Sequence, residues 1–170
     1  MRKYFLLLLI IVASTIVTRA QTMTAATKIP PTMSREAVVN ATADEVWKVI
    51  SVLDKVNEYN SELVKSVEKE GDGYEAYRLC KMSDGTERGE EITIFAKATK
   101  DICFRSEDSQ YPVEYFVVNY HIKPSGKEKC KVTLEAYFKV NNGAAKTKTF
   151  KAIGKELSIT LKGIQNYFNN

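Results

Sequence analysis

One stretch near the C-terminus constrains the fold more than any other. Phe150, Ile153, Leu157, Leu161, Ile164 and Phe168 recur at steps of three and four, the spacing of an amphipathic helix. From Ala145 to Phe168 such a helix extends about 36 Å at 1.5 Å per residue. Lys146, Lys148, Lys151, Lys155 and Lys162 lie mostly off its apolar stripe. A stripe that long must be buried against something equally long. Most of the preceding chain reads as strands, which predicts an α+β layer arrangement with the helix crossing a whole sheet.

The strand signals fall at 63–69, 74–82, 88–97, 100–106, 113–123 and 130–140. Turn chemistry separates them at Gly71-Asp-Gly73, Ser83-Asp-Gly85, Ser109 to Pro112 and Pro124-Ser-Gly126. That rhythm is a meander in which sequential neighbours pair antiparallel. A further short strand is expected over Arg35–Ala41. Thr42-Ala-Asp-Glu45 follows it as a capping box, Thr42 holding the Glu45 amide while Glu45 reaches back. Val46, Trp47 and Ile50 then share one helical side, and a second short helical segment follows Asp54. The chain shows one domain and no repeats.

The first twenty residues read differently. Met1-Arg-Lys is positive and Tyr4 to Val17 is almost continuously apolar. The run suits a secretory signal and is short for a membrane span, which needs about 20 residues. Thr18 and Ala20 place cleavage between Ala20 and Gln21. The expectation is a signal peptide over 1–20, an extended leader over 21–33, a domain over 34–168, and a periplasmic or secreted product. An uncleaved anchor is the alternative. The formal charge of +4 shrinks once Arg2, Lys3 and Arg19 are set aside: 25 basic residues less three leave 22 against 21 acidic. A nearly neutral body argues against nucleic-acid binding, which rests on clustered Lys and Arg. Cys80, Cys103 and Cys130 each fall inside a strand and are expected to be unpaired, buried thiols.

The ordered motifs carry a resemblance. Ala43-Asp-Glu-Val-Trp47 opens the set, followed by Tyr77-Arg78 ahead of Asp84-Gly85 and by Glu90-Glu-Ile-Thr93. Tyr111-Pro112-Val113-Glu-Tyr115 and Leu134-Glu135-Ala-Tyr137 complete it. Over about residues 35–168 the chain resembles the START-like helix-grip superfamily (SRPBCC), in its polyketide cyclase/dehydrase-like branch. This implies a helix-grip fold: a curved antiparallel sheet of about seven strands, in the order β-α-α-β6-α, wrapped on the C-terminal helix. It also implies a chamber between sheet and helix that holds a hydrophobic or amphipathic small molecule. Carried over position by position, it places Arg78, Cys80 and Met82 inward, then Glu90, Ile92 and Ile94, then Ile102 and Phe104. Tyr115, Val117, Glu135 and Tyr137 would finish the sheet side, with Phe150, Gly154, Leu157 and Leu161 closing it from the helix. Period-two alternation dissents on the last two strands. There the apolar faces are Phe116/Val118/Tyr120/Ile122 and Val132/Leu134/Ala136/Phe138, which puts Tyr115 and Glu135 outside. The resemblance is followed here, and the outer apolar face it leaves would need a cover, the leader or a partner chain in a homodimer.

Arg78 with Glu90 and Glu135 would then be two carboxylates and a guanidinium in an apolar chamber. They could contact a ligand, act as acid or base in a cyclase/dehydratase-type reaction, or merely neutralise each other. Gly154 would leave room for the ligand. Three readings stay open: an exported binder of a lipid or polyketide-like molecule, an enzyme, and an interaction module whose groove is filled by side chains. No cofactor or metal is expected, since no ligand spacing for zinc occurs. His121, the single histidine, has no nucleophile placed beside it.

Overall fold

Strand β1 (Met33–Val39) starts two residues earlier than its signal, tied down where Thr32 Oγ1 donates to the Phe138 carbonyl at 3.1 Å. Helix α1 (Ala43–Ile50) follows, with the capping box formed: Glu45 N donates to Thr42 Oγ1, and Thr42 N to Glu45 Oε2 at 2.8 Å. A 3₁₀ turn leads to the short helix α2 (Val56–Tyr59). The meander then runs β2 (Val64–Glu70), β3 (Tyr77–Met82), β4 (Glu87–Ala96), β5 (Asp101–Glu107), β6 (Val113–Gly126) and β7 (Lys129–Val140). Helix α3 (Lys146–Asn169) closes the chain with 24 residues. The computed structural model describes residues 29–107 and 109–169. The export signal lies outside them, as does most of the leader.

All seven strands join one antiparallel sheet in the order β1-β7-β6-β5-β4-β3-β2. This is the helix-grip arrangement, with α3 laid across the inner face. Ile153, Leu157, Leu161 and Ile164 are buried there against Ile102, Phe116, Leu134 and their neighbours. Cys80, Cys103 and Cys130 are buried and unpaired. No helix among the described residues is long and apolar enough to cross a membrane.

Two local departures from regular pairing alter the facing expected from sequence. A bulge in β4 lies between Ile92 and Ile94, so Ile92 pairs with Phe104 on the inner face while Ile94 pairs with Cys103 on the outer. The extra residue flips every side chain beyond it. Phe95 takes the inward place and meets Trp47 of α1 at 5.3 Å, and Ile94 is left exposed. At the other hairpin, Pro124-Ser-Gly126 is not the turn. Strand β6 runs through it with a shift in register, and Gly126 pairs with Lys129 across Lys127-Glu128. Proline cannot donate to a ladder, so a register shift is where it is tolerated.

On β6 and β7 the alternation decides. Phe116, Val118, Tyr120 and Ile122 point inward with Val132, Leu134, Ala136 and Phe138, and all eight are buried. Tyr115 and Val117, with Glu135 and Tyr137 beside them, therefore occupy the outer face, contrary to the expectation carried over from the resemblance. The reason is parity. Each strand has one continuous apolar set, and burying it under α3 sends its partners outward. The need for a cover over an outer apolar face lapses with it.

Gly154 is also displaced from its expected role. A Cβ there would meet Met33 Sδ at 3.2 Å and Arg35 Nη2 at 3.4 Å, so this glycine lets α3 approach β1. Gly163 is the tighter case, where a Cβ would lie 2.0 Å from the Tyr59 carbonyl oxygen. Gly154→Ala should be neutral or stabilising by up to about 1 kcal/mol, because helix propensity improves and the Met33 thioether can yield. Gly163→Ala should destabilise by about 1–3 kcal/mol despite the same gain, since backbone cannot yield. Urea unfolding of the two variants checks the contrast, and equal effects would contradict these packing assignments. Alkylation under denaturing, non-reducing conditions should add three labels per chain.

Candidate functional site

The site is built on a register. Strands β3 and β4 pair so that Arg78 faces Glu90 directly, and Cys80 faces Arg88. Arg88 and Glu90 are two apart on β4 and so share the inner face. Arg78 Nε donates to Glu90 Oε2 at 2.7 Å, with Nη2 at 2.5 Å from the same oxygen. Arg88 Nε lies 3.0 Å from Glu90 Oε1, and its Nη1 donates to Glu156 Oε1 of α3 at 2.8 Å. The Tyr111 hydroxyl then donates to Glu156 Oε2 at 2.5 Å. Five side chains thus form one chain of contacts from the deep interior to the surface. Its two guanidinium and two carboxylate groups cancel in charge, and all four charged residues are buried.

Electrostatics locks these states. Burial pushes the Glu90 carboxyl up, but Arg78 and Arg88 outweigh it and hold it below the ordinary range. Both guanidiniums are held more firmly protonated than usual: burial is the largest single influence and opposes this, but Glu90 together with Tyr59 and Cys80 outweighs it for Arg78, and Glu90 together with Glu156 for Arg88. Burial drives the Tyr111, Tyr59 and Tyr120 phenols up, Tyr111 further through Glu156. The Cys80 thiol is pushed up to about 11, chiefly by burial. Arg78 also stacks on Phe104, 4.1 Å from its ring centre.

Between the sheet and α3 the interior is nearly filled. The cavity there measures about 20 Å³ and is bordered by Arg78, Glu90, Phe104, Tyr120, Glu156 and Leu157 among others. Larger spaces lie at the surface: a cleft of about 430 Å³ between α3, the β3–β4 turn and the approach to β6, and another of about 420 Å³ between α2 and the C-terminal half of α3. Leu63, Met82 and Ile159 give the first cleft apolar walls, with Gln110, Tyr111 and Lys155 around them. Glu156 borders both this cleft and the interior cavity.

Of the residues expected to line a chamber, Arg78, Glu90, Phe104 and Leu157 surround the small cavity, and Met82 lines the cleft. Ile92 is buried in the core beside them. Phe150 lies toward the N-terminal end of α3, packed on Phe138 at 4.9 Å. Ile94, Tyr115, Val117, Glu135 and Tyr137 are on the far side of the sheet. There Glu135 Oε2 accepts from the Tyr137 hydroxyl at 2.8 Å and lies 3.3 Å from His121 Nε2. The expected joining of Glu135 to Arg78 does not occur. Arg88 and Glu156 take its place. Arg88 was legible as the residue two before Glu90. Glu156 was legible as a carboxylate set in the apolar stripe, beside Leu157 and one turn from Ile153.

The family described as polyketide cyclase / dehydrase and lipid transport matches residues 30–168. The chain belongs to this family. A search of curated proteins by sequence gave no match. Solved structures of the same fold include an uncharacterised protein of Bacillus thuringiensis, with a TM-score of 0.72 and 16% identity over 81% of this chain and 98% of that one. The di-domain ARO/CYC BexL of the BE-7585A biosynthetic pathway matches at TM-score 0.71 and 16% identity, covering 79% of this chain and 45% of that one. Norcoclaurine synthase of Thalictrum flavum, in complex with dopamine and hydroxybenzaldehyde, matches at 0.65 and 18%, covering 79% and 83%. At such identities these likenesses speak for the fold. Family membership supports ligand binding or a cyclase-type role, with a small hydrophobic molecule as the partner.

Glu90→Gln should cost about 3–5 kcal/mol, because it leaves two buried guanidiniums facing a single carboxylate. The sign of the pH dependence follows from the lowered Glu90 value. Its stabilisation is complete above the ordinary carboxylate pKa and is lost as pH falls through the folded one. Denaturant unfolding between neutral and acid pH should show the parent losing stability at the acid end, and Glu90→Gln losing less of it. Parallel curves would contradict the assignment.

Proposed function

We propose that the protein is an exported binder of one small amphipathic molecule, seated in the cleft beside α3. The observation that carries this reading is the cleft's composition. Apolar walls from Leu63, Met82 and Ile159 meet a floor where Glu156 is anchored by Arg88 and Tyr111. Ligand pockets are commonly about 300–1,000 Å³, mostly apolar, with a few fixed polar groups that orient the ligand. The cleft's volume of about 430 Å³ falls within that range. Norcoclaurine synthase, in complex with dopamine and hydroxybenzaldehyde, supports a small aromatic carrying polar substituents as the ligand class. Lipid or polyketide-like molecules with an exposed polar end share its amphipathic character, and the family description names both chemistries.

A cyclase/dehydratase reaction run by Arg78 with Glu90 and Glu135 has less support. General acid–base work favours a group whose pKa lies near the working pH. Glu90 is pinned as an anion between two arginines, and Glu135 sits on the opposite face. The filled interior favours the interaction-module reading for that region alone, since it leaves the surface cleft untouched.

Ala152 borders the cleft from α3. Ala152→Trp should therefore weaken binding of the fluorescent probe 2-naphthol at least about tenfold, a difference of about 1.4 kcal/mol, with unfolding unchanged. Equal affinity in a folded variant would remove the cleft from consideration. Extraction and mass spectrometry of the purified protein should recover an amphipathic small molecule. Export is part of the proposal, and N-terminal sequencing of the mature protein should begin at Gln21. Met1 recovered from a membrane fraction would replace it with an anchored protein.

A further inference from the structure

Five buried side-chain polar atoms have no hydrogen-bond partner among the described residues. Of these, Arg88 Nε still has Glu90 Oε1 at 3.0 Å and Asn119 Oδ1 belongs to the outer face; the other three are Arg78 Nη1, the Tyr59 hydroxyl and Asn60 Oδ1. Tyr59 ends α2, Asn60 follows it, and Arg78 comes from β3; Arg78 is the side chain with which the Tyr59 phenol interacts most strongly. Arg78 and Tyr59 are each 2% exposed and Asn60 5%. The rest of each polar group is already committed. Arg78 Nε and Nη2 belong to Glu90, and Asn60 Nδ2 donates to Thr160 Oγ1 at 3.1 Å. These bonds fix which way the remaining atoms point. Arg78 and Asn60 border the same cavity of about 20 Å³, and the Tyr59 phenol lies within the electrostatic reach of Arg78 and Glu90. A cavity needs only about 10–15 Å³ of such volume for one water-sized group.

The three atoms select the occupant. Arg78 Nη1 can only donate, Asn60 Oδ1 can only accept, and the Tyr59 phenol can do either. A group that serves all three must accept and donate at once. A hydroxyl oxygen does so; an ionised carboxylate or a carbonyl cannot donate, and an ammonium cannot accept. Charge points the same way. Arg78, Arg88, Glu90 and Glu156 already balance, and an added ion would unbalance them at a site where charge is costly.

We propose that this cavity is a binding site for a single neutral hydroxyl oxygen, from water or from an alcohol or phenol reaching past Glu156. The second source rests on the cleft being the ligand site; the first does not. A high-resolution crystal structure of the intact protein should show one ordered oxygen within hydrogen-bond distance of Arg78 Nη1, Tyr59 Oη and Asn60 Oδ1. No such oxygen, with the three atoms re-paired inside the protein, overturns the proposal. Oxygen-17 relaxation dispersion should count one fewer long-lived water in Tyr59→Phe, which keeps the ring and loses the hydroxyl. Equal counts with equal density would also overturn it.

Soaks with 2-naphthol and 2-naphthoate separate the sources. A naphthol hydroxyl replacing the ordered oxygen identifies the ligand as the source. An ordered oxygen retained beneath naphthol identifies water, and both results support the site. A naphthoate carboxylate seated in the cavity overturns it. If neither compound enters the cleft while the ordered oxygen is present, the hydroxyl site stands and the cleft reading falls.

Discussion

The balanced quartet of Arg78, Glu90, Arg88 and Glu156 is the constraint on which this end of the molecule rests. Desolvating four charges costs several kcal/mol per ion, recovered only when geometry and pairing are good. That condition is a strong filter on structure. A slip of one residue between β3 and β4 would send Arg78 and Glu90 to opposite faces, leaving charges buried without partners. The β3–β4 register and the rotation of α3, which carries Glu156, are thus tied to one set of bonds. Hydrophobic packing alone can be repacked around a small rotation of a helix at modest cost. A carboxylate that must meet Arg88 at one side and Tyr111 at the other is not.

The same quartet explains why the space for a ligand lies outside the sheet–helix interface. Tyr59, Phe104, Phe116, Tyr120 and Leu157 fill the interior with large groups, and the two arginines with their carboxylates occupy what remains. Interiors pack at crystal-like density, so a volume of about 20 Å³ is ordinary for a core and far below that of a ligand pocket. The layer architecture of the fold surrounds a centre filled by side chains. At the mouth, where Glu156 leaves the core, apolar walls and anchored polar groups coexist.

Most of the architecture was legible in the sequence because it is written in periodicities. The α3 stripe, the Thr42–Glu45 box and the turns around Gly73 and Gly85 each express a local rule, and the glycines have φ of 80° and 89°. Facing on β6 and β7 was also written locally, in the alternation from Phe116 to Ile122. The resemblance pointed Tyr115 and Glu135 the other way, and hydrophobic burial prevailed over distant analogy. Ile94 was not legible, because the bulge after Ile92 leaves no signature in alternating apolar residues. Gly154 was read as space for a ligand, yet the close neighbour is Met33, some 120 residues away, which no local pattern reveals. Glu156 carries a local signal of its own, since a carboxylate embedded in an apolar stripe needs a buried cation, here Arg88.

The outer face shows what the parity of β6 and β7 entails. With the apolar sets spent under α3, the opposite positions carry Asn119, His121, Glu135 and Tyr137. His121 reaches Asp101 Oδ1 through Nδ1 at 2.6 Å and Glu135 through Nε2, while Tyr137 donates to Glu135. The Asp101 carboxyl is pushed up by partial burial, but hydrogen bonds from Thr99 and His121 outweigh this and hold it below its ordinary value. Such a surface satisfies much of its polarity internally and remains wettable. The sheet therefore separates two polar systems. The inner one is charge-balanced, buried and bound to the helix, and the outer one is half-exposed and independent of it. Glu135 and Glu90 could have been partners only if one strand of the sheet faced the wrong way, and the cost of exposing Phe116, Val118 and Leu134 forbids that.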